Sequence, residues 1–86
     1  MSRRVEWTEP AAKDIERLDR QARERIRQAV YRLADTGHGD VNRLTAKGKE
    51  LRLKVGPWRV RFEHDNQAGL LRILRVLSRR EDTYRD

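Results

Sequence analysis

At 86 residues and 10.3 kDa the chain is long enough for one domain, 1–86, and such a length buries only roughly 60% of the unfolded surface. The formal net charge is +7 and the pI about 10.8, a balance that points to nucleic acid or an acidic partner. There is no cysteine, which excludes a disulfide framework and a thiolate metal site, and no apolar run approaches membrane-spanning length.

The charge is unevenly placed. Residues 1–40 carry nine Lys and Arg against eight Asp and Glu, while residues 41–86 carry twelve against six, so the second half holds nearly all the excess. Met1-Ser2-Arg3-Arg4 leads into a mixed segment and not an apolar leader. A cytoplasmic protein without a membrane partner is expected.

In chain order, Arg4-Val5-Glu6-Trp7 alternates and predicts a short opening strand. Thr8-Glu9-Pro10 is a helix start, with Thr8 as cap and a proline in the first turn. Ala11, Ala12, Ile15 and Leu18 then follow helical spacing. Asp19 is placed to cap a second helix, where Ala22, Ile26, Ala29, Val30 and Leu33 recur every three or four residues, and Asp35 to Asp40 ends it. The charged faces of these helices nearly cancel and read as a solvated scaffold. Residues 41–49 read as a loop.

Leu51 to Phe62 then reads as two strands around a Gly56-Pro57 turn. Period-2 alternation puts Leu51, Leu53, Val55, Trp58, Val60 and Phe62 on one face, and Arg52, Lys54, Arg59 and Arg61 on the other. Four cations on one small face repel each other without an anion to bind. Asp65 to Gly69 has turn composition, and Leu70 to Leu77 is apolar on both faces, as a central strand would be. Ser78 to Asp86 reads as a polar tail. The order β-α-α-β-β-β predicts an α+β domain, with a helical hairpin packed on a mainly antiparallel sheet.

Cleaving an RNA phosphodiester requires a group to take the 2′-hydroxyl proton, cations on the charged phosphorane and a donor for the leaving oxygen. Arginine fills only the middle role, because it keeps its proton. Lys54 and Tyr84 are the candidate proton carriers, and neighbouring cations favour both a neutral lysine and a phenolate. His64 falls by parity on the core face, and His38 is remote in sequence from the basic hairpin. The two histidines are too few and too far apart for a metal site. Glu50, Glu63 and Glu81 are read as balancing nearby arginines, and Trp58 as packing.

These stretches resemble the RelE/ParE superfamily of bacterial toxins, and look more like RelE-type mRNA interferases than ParE gyrase poisons. The resemblance rests on Val5-Glu6-Trp7 with Ala11 to Leu18, on Arg43-Leu44 followed by the hairpin, and on the closing Ser78-Arg79-Arg80-Glu81-Asp82-Thr83-Tyr84. It implies a RelE-like fold and a metal-independent, cofactor-free endoribonuclease of a type II toxin–antitoxin system, cutting mRNA on the ribosome. By position it implies catalytic roles for Lys54, Arg59, Arg80 and Tyr84, with Arg79 the alternative to Arg80, and pairs Arg52 with Lys54 on the first strand of the hairpin; Arg52, Arg61, Arg79, Lys47 and Lys49 are the expected RNA contacts. It also implies a cognate antitoxin, with operator DNA bound only by the toxin–antitoxin complex. A gyrase inhibitor on the same fold and a non-catalytic RNA- or DNA-binding module are the alternatives.

Overall fold

The computed structural model describes residues 2–44 and 48–83. The expected site residues Lys47 and Tyr84 lie outside the described residues. The first strand, β1 (Arg4–Trp7), runs into Thr8, whose side-chain oxygen accepts the Ala11 N–H at 3.4 Å and caps α1 (Glu9–Glu16). Asp19 stands at the cap position of α2 (Arg20–Thr36), as expected, but its side chain makes no capping hydrogen bond. Gly37 ends α2 with φ 77°, the left-handed conformation glycine adopts most easily, and its N–H reaches the Leu33 carbonyl at 2.9 Å.

The remaining strands are β2 (Asp40–Arg43), β3 (Glu50–Val55), β4 (Trp58–Asp65) and β5 (Leu70–Ser78), followed by α3 (Arg79–Thr83). The expected plan of strand, helical hairpin and mainly antiparallel sheet is present. Two elements add to it. The first half of the expected loop 41–49 is β2, which pairs with β3 through Val41↔Leu53 and Arg43↔Leu51. Its composition carries little strand signal, since Val41 is its one apolar residue; the ladder to β3 makes it a strand. The expected polar tail begins with α3, set up by a capping box in which Glu81 N–H donates to Ser78 Oγ at 3.2 Å and Ser78 N–H donates to Glu81 Oε1 at 2.9 Å.

The strand order is β1-β5-β4-β3-β2, with β1 parallel to β5 and every other pair antiparallel. Lying between β1 and β4, β5 is apolar on both faces because both faces are covered. It outruns β1, whose last pair is Trp7↔Ile73, and α1 covers the rest of that edge. Thr8 donates to the Ile73 carbonyl from its N–H (3.1 Å) and its hydroxyl (2.7 Å). Asp14, 8% exposed, accepts the Val76 N–H at 2.9 Å and two guanidinium N–H groups of Arg75 at 2.7 and 3.0 Å. A buried carboxylate is tolerated when it is this fully hydrogen-bonded.

The core lies between the helices and one sheet face. Ala11 and Ile15 of α1 and Ile26, Val30 and Leu33 of α2 pack on Leu53, Val55, Val60, Phe62, Ile73 and Val76, with Trp58 and Leu51 at the margin. Ile26 and Val60 have no exposed surface, and burying each such side chain contributes about 1.5–3 kcal/mol. Leu77 is only 1% exposed yet stands outside this cluster, on the opposite face, where α3 returns over β5 and β4. That return defines the polar side of the sheet. Among the described residues no helix is long and apolar enough to cross a membrane.

Candidate functional site

The basic face is organised by the β3–β4 hairpin. Gly56 has φ 57° and is followed by Pro57, whose ring holds φ negative, the sign order of a type II′ turn that matches strand twist. The resulting register sets Lys54 opposite Arg59 and Arg52 opposite Arg61. Like charges facing each other across two strands destabilise a sheet. The molecule treats the two pairs differently.

Arg52 and Arg61 are neutralised internally. Asp82 of α3, 3% exposed, places Oδ2 2.6 Å from Arg52 Nη2 and Oδ1 2.7 Å from Arg61 Nε, and Glu50 Oε2 accepts from Arg61 Nη1 at 3.1 Å. The Arg52 and Arg61 side chains are only 17% and 11% exposed. The crowding of four cations therefore does not demand an external anion at this pair, because α3 supplies one. Arg52 and Arg61, two of the expected RNA contacts, together seat α3 through Asp82.

Lys54 and Arg59 form the open pair. Lys54 is exposed, and no carboxylate among the described residues lies within ion-pair distance of it. Arg59 donates from Nη1 to the carbonyls of Gly56 (2.9 Å) and Trp58 (2.8 Å). Those bonds fix the guanidinium at the turn without cancelling its charge. The first residue of α3 is tied to the same turn, since Arg79 N–H donates to the Pro57 carbonyl at 2.8 Å. The structure thus brings Lys54, Arg59, Arg79 and the exposed Arg80 to one end of the sheet.

Other expected residues lie elsewhere. Lys49 borders an open polar hollow with Glu63, His64 and Arg72, at the end of the hairpin away from the turn. His64 is on the helix side as parity required; its Nε2 is buried without a hydrogen-bond partner, and burial first, then Arg3, lowers its pKa while Asp65 opposes. Glu50 balances Arg61 as expected. Glu81 instead accepts the Ser78 N–H and lies near the Ser78 hydroxyl, and these two interactions hold its pKa below the ordinary glutamate value. His38, remote in sequence from the hairpin, is brought by the pairing of β2 with β3 to the groove that Lys54 also lines. Sequence reasoning missed Asp82 altogether, although the Ser78-x-x-Glu81 spacing marked the helix that carries it.

A basic β-ribbon crossed by a C-terminal helix, on a five-stranded sheet backed by two helices, is the architecture of a RelE/ParE superfamily toxin. The chain belongs to the ParE toxin family: the profile described as ParE toxin of type II toxin-antitoxin system, parDE, matches residues 5–83. Among solved structures, the RelBE2 toxin–antitoxin complex from Mycobacterium tuberculosis matches with a TM-score of 0.81 at 18% identity, covering 91% of this chain and 92% of that one. The archaeal RelE–RelB complex from Pyrococcus horikoshii matches with a TM-score of 0.78 at 21% identity, covering 92% and 97%. The isolated RelE toxin of E. coli matches with a TM-score of 0.76 at 14% identity, covering 98% of both chains. No curated protein sequence matches the chain.

Proposed function

We propose that this toxin is a ribosome-dependent endoribonuclease that cuts mRNA without a metal, through attack of the RNA's own 2′-hydroxyl. One observation carries this reading: α3 is docked by Asp82 on Arg52 and Arg61 and by Arg79 on the turn, which leaves Lys54, Arg59 and Arg80 as cations at one end of the ribbon. Tyr84 follows two residues after Asp82 in the chain. In the reaction the 2′-oxygen bonds to phosphorus and the bond from phosphorus to the 5′-oxygen breaks. Lys54 and Tyr84 exchange the two protons involved, one taking the 2′-hydroxyl proton and the other supplying the 5′-oxygen. Arg59 and Arg80 oppose the charge that grows on the phosphorane, a role suited to groups that never lose their proton. The products are a 2′,3′-cyclic phosphate and a free 5′-hydroxyl.

The proposed partners are the ribosome with its mRNA and a cognate antitoxin; the solved complexes of similar fold are toxin–antitoxin pairs, which supports the latter. Operator DNA is bound only by the toxin–antitoxin complex, and the setting is the cytoplasm. Primer-extension mapping of a translated message, with and without ribosomes, tests the activity: cuts that need translation support it. Growth arrest that survives both Lys54→Ala and Tyr84→Phe overturns the catalytic assignment. The ParE profile favours a second reading, inhibition of DNA gyrase. That reading predicts a DNA-damage response on expression, where the first predicts rapid mRNA loss.

A further inference from the structure

The cations of this molecule divide by what they touch. Arg52, Arg61, Arg72 and Arg75 each hold a carboxylate. Arg25 and Arg32 of α2 do not: among the described residues no acid lies within ion-pair distance of either. They are two turns apart on one face of α2, with Gln28 between them, and they form one wall of a groove of about 420 Å³. The other wall is the β2–β3 end of the sheet, and Lys54 stands on it. The acid nearest this groove, Asp40, lines it without pairing to Arg25, Arg32 or Lys54.

Arg25 is also positioned. A Cβ added to Gly56 would lie 2.6 Å from its Nη1 and Nη2 and 2.7 Å from its Cζ, so the guanidinium rests against the bare backbone of the hairpin turn. Gly56 therefore meets two demands: a left-handed backbone, and room for a cation next to the turn that Arg59 also grips. Like charges are thereby gathered along one path, from Arg80 and Arg59 past Lys54 to Arg25 and Arg32. Spaced cations, with Asp40 lining the groove but within ion-pair distance of none of them, suit a ligand with spaced anions, a polynucleotide backbone, better than a single anion.

We propose that this groove receives a second phosphate of the RNA strand whose neighbouring linkage sits at Lys54 and Arg59, with Arg25 and Arg32 as its positioning residues. The inference rests on the endoribonuclease reading for the first phosphate, but its test is a binding measurement that does not require cleavage. The probe is a single-stranded 2′-O-methyl RNA on the order of ten nucleotides long, which offers no attacking hydroxyl, with a dinucleotide of the same chemistry as the short control. Affinity is followed against salt for the wild-type toxin, for Arg25→Gln/Arg32→Gln and for Arg25→Lys/Arg32→Lys, each checked by its melting curve.

The expected result is a salt slope shallower by about 0.7 in the glutamine variant, the value for one phosphate of a single strand, restored in the lysine variant and unchanged for the dinucleotide. On translating ribosomes the glutamine variant raises KM while leaving the rate at saturation alone. An unchanged slope for the longer RNA, or no binding by any form, overturns the groove. So does a slope change shared by the dinucleotide, which would make the arginines part of the first phosphate site. A shallower slope in the glutamine variant, where the wild-type toxin cuts no message, leaves the groove standing and removes the nuclease reading.

Discussion

Two cross-strand cation pairs sit next to each other on the same β-ribbon, and they have opposite fates. Arg52↔Arg61 lies largely buried beneath α3 and is ion-paired to Asp82 and Glu50, whereas Lys54↔Arg59 is two residues nearer the turn and has no carboxylate partner among the described residues, Arg59 bonding only to backbone carbonyls. The difference teaches that charge of one sign on a sheet face is not a single feature. Part of it anchors an element of the fold, and part is left open at the surface.

The comparison is most easily broken at the open pair. Lys54→Ala should slow message cleavage by about 10²–10⁴-fold, the usual worth of a proton carrier, while the melting temperature stays put. A variant that melts early and cuts normally would invert the two roles. Asp82→Asn should do the reverse: removing a carboxylate that serves two nearly buried arginines should cost about 3 kcal/mol in chemical denaturation, with cleavage retained at temperatures where the protein is folded. Ser78→Ala tests whether α3 is held from its start as well as from Asp82, and should lose about 1 kcal/mol.

The smallest expected effect depends on pH. Glu81 is held below its ordinary value of 4.5 by Ser78, so its folded form binds protons less readily than its unfolded form. Its contribution is therefore present above that value and fades as pH falls through the lowered one. Acid unfolding followed from pH 6 downward should be shallower in Glu81→Gln than in the wild type. Identical profiles would show that the capping box does nothing for α3.

Periodicity made most of this legible. The alternation around Gly56-Pro57 was enough to predict the hairpin and its two faces, and the spacing of Ile26, Val30 and Leu33 marked the core side of α2. What escaped was everything that depends on distant partners. Asp40 to Arg43 carries almost no strand propensity and becomes β2 only because β3 offers a ladder. Asp82 looked like one acid in a polar tail, since nothing local says that residue 82 will meet residues 52 and 61. Arg25 looked like solvated helix surface, and only the fold sets it against Gly56. The candidate site was legible as a set of cations, but not as two sets.

The parallel pairing of β1 with β5 carries a consequence for synthesis. Residue 4 finds its partner at residue 70, so the first strand made waits for the last strand made, and the sheet closes by inserting that last strand between β1 and β4. Long-range pairing of this kind is slow, because loop-closure entropy is spent before the contact rewards it. A nascent chain that has emerged only as far as the hairpin would carry its cations without the strand that orders them or the acid that sorts them. The sorted surface, with α3 seated on Arg52 and Arg61, thus forms only after residues 70–82 have been made.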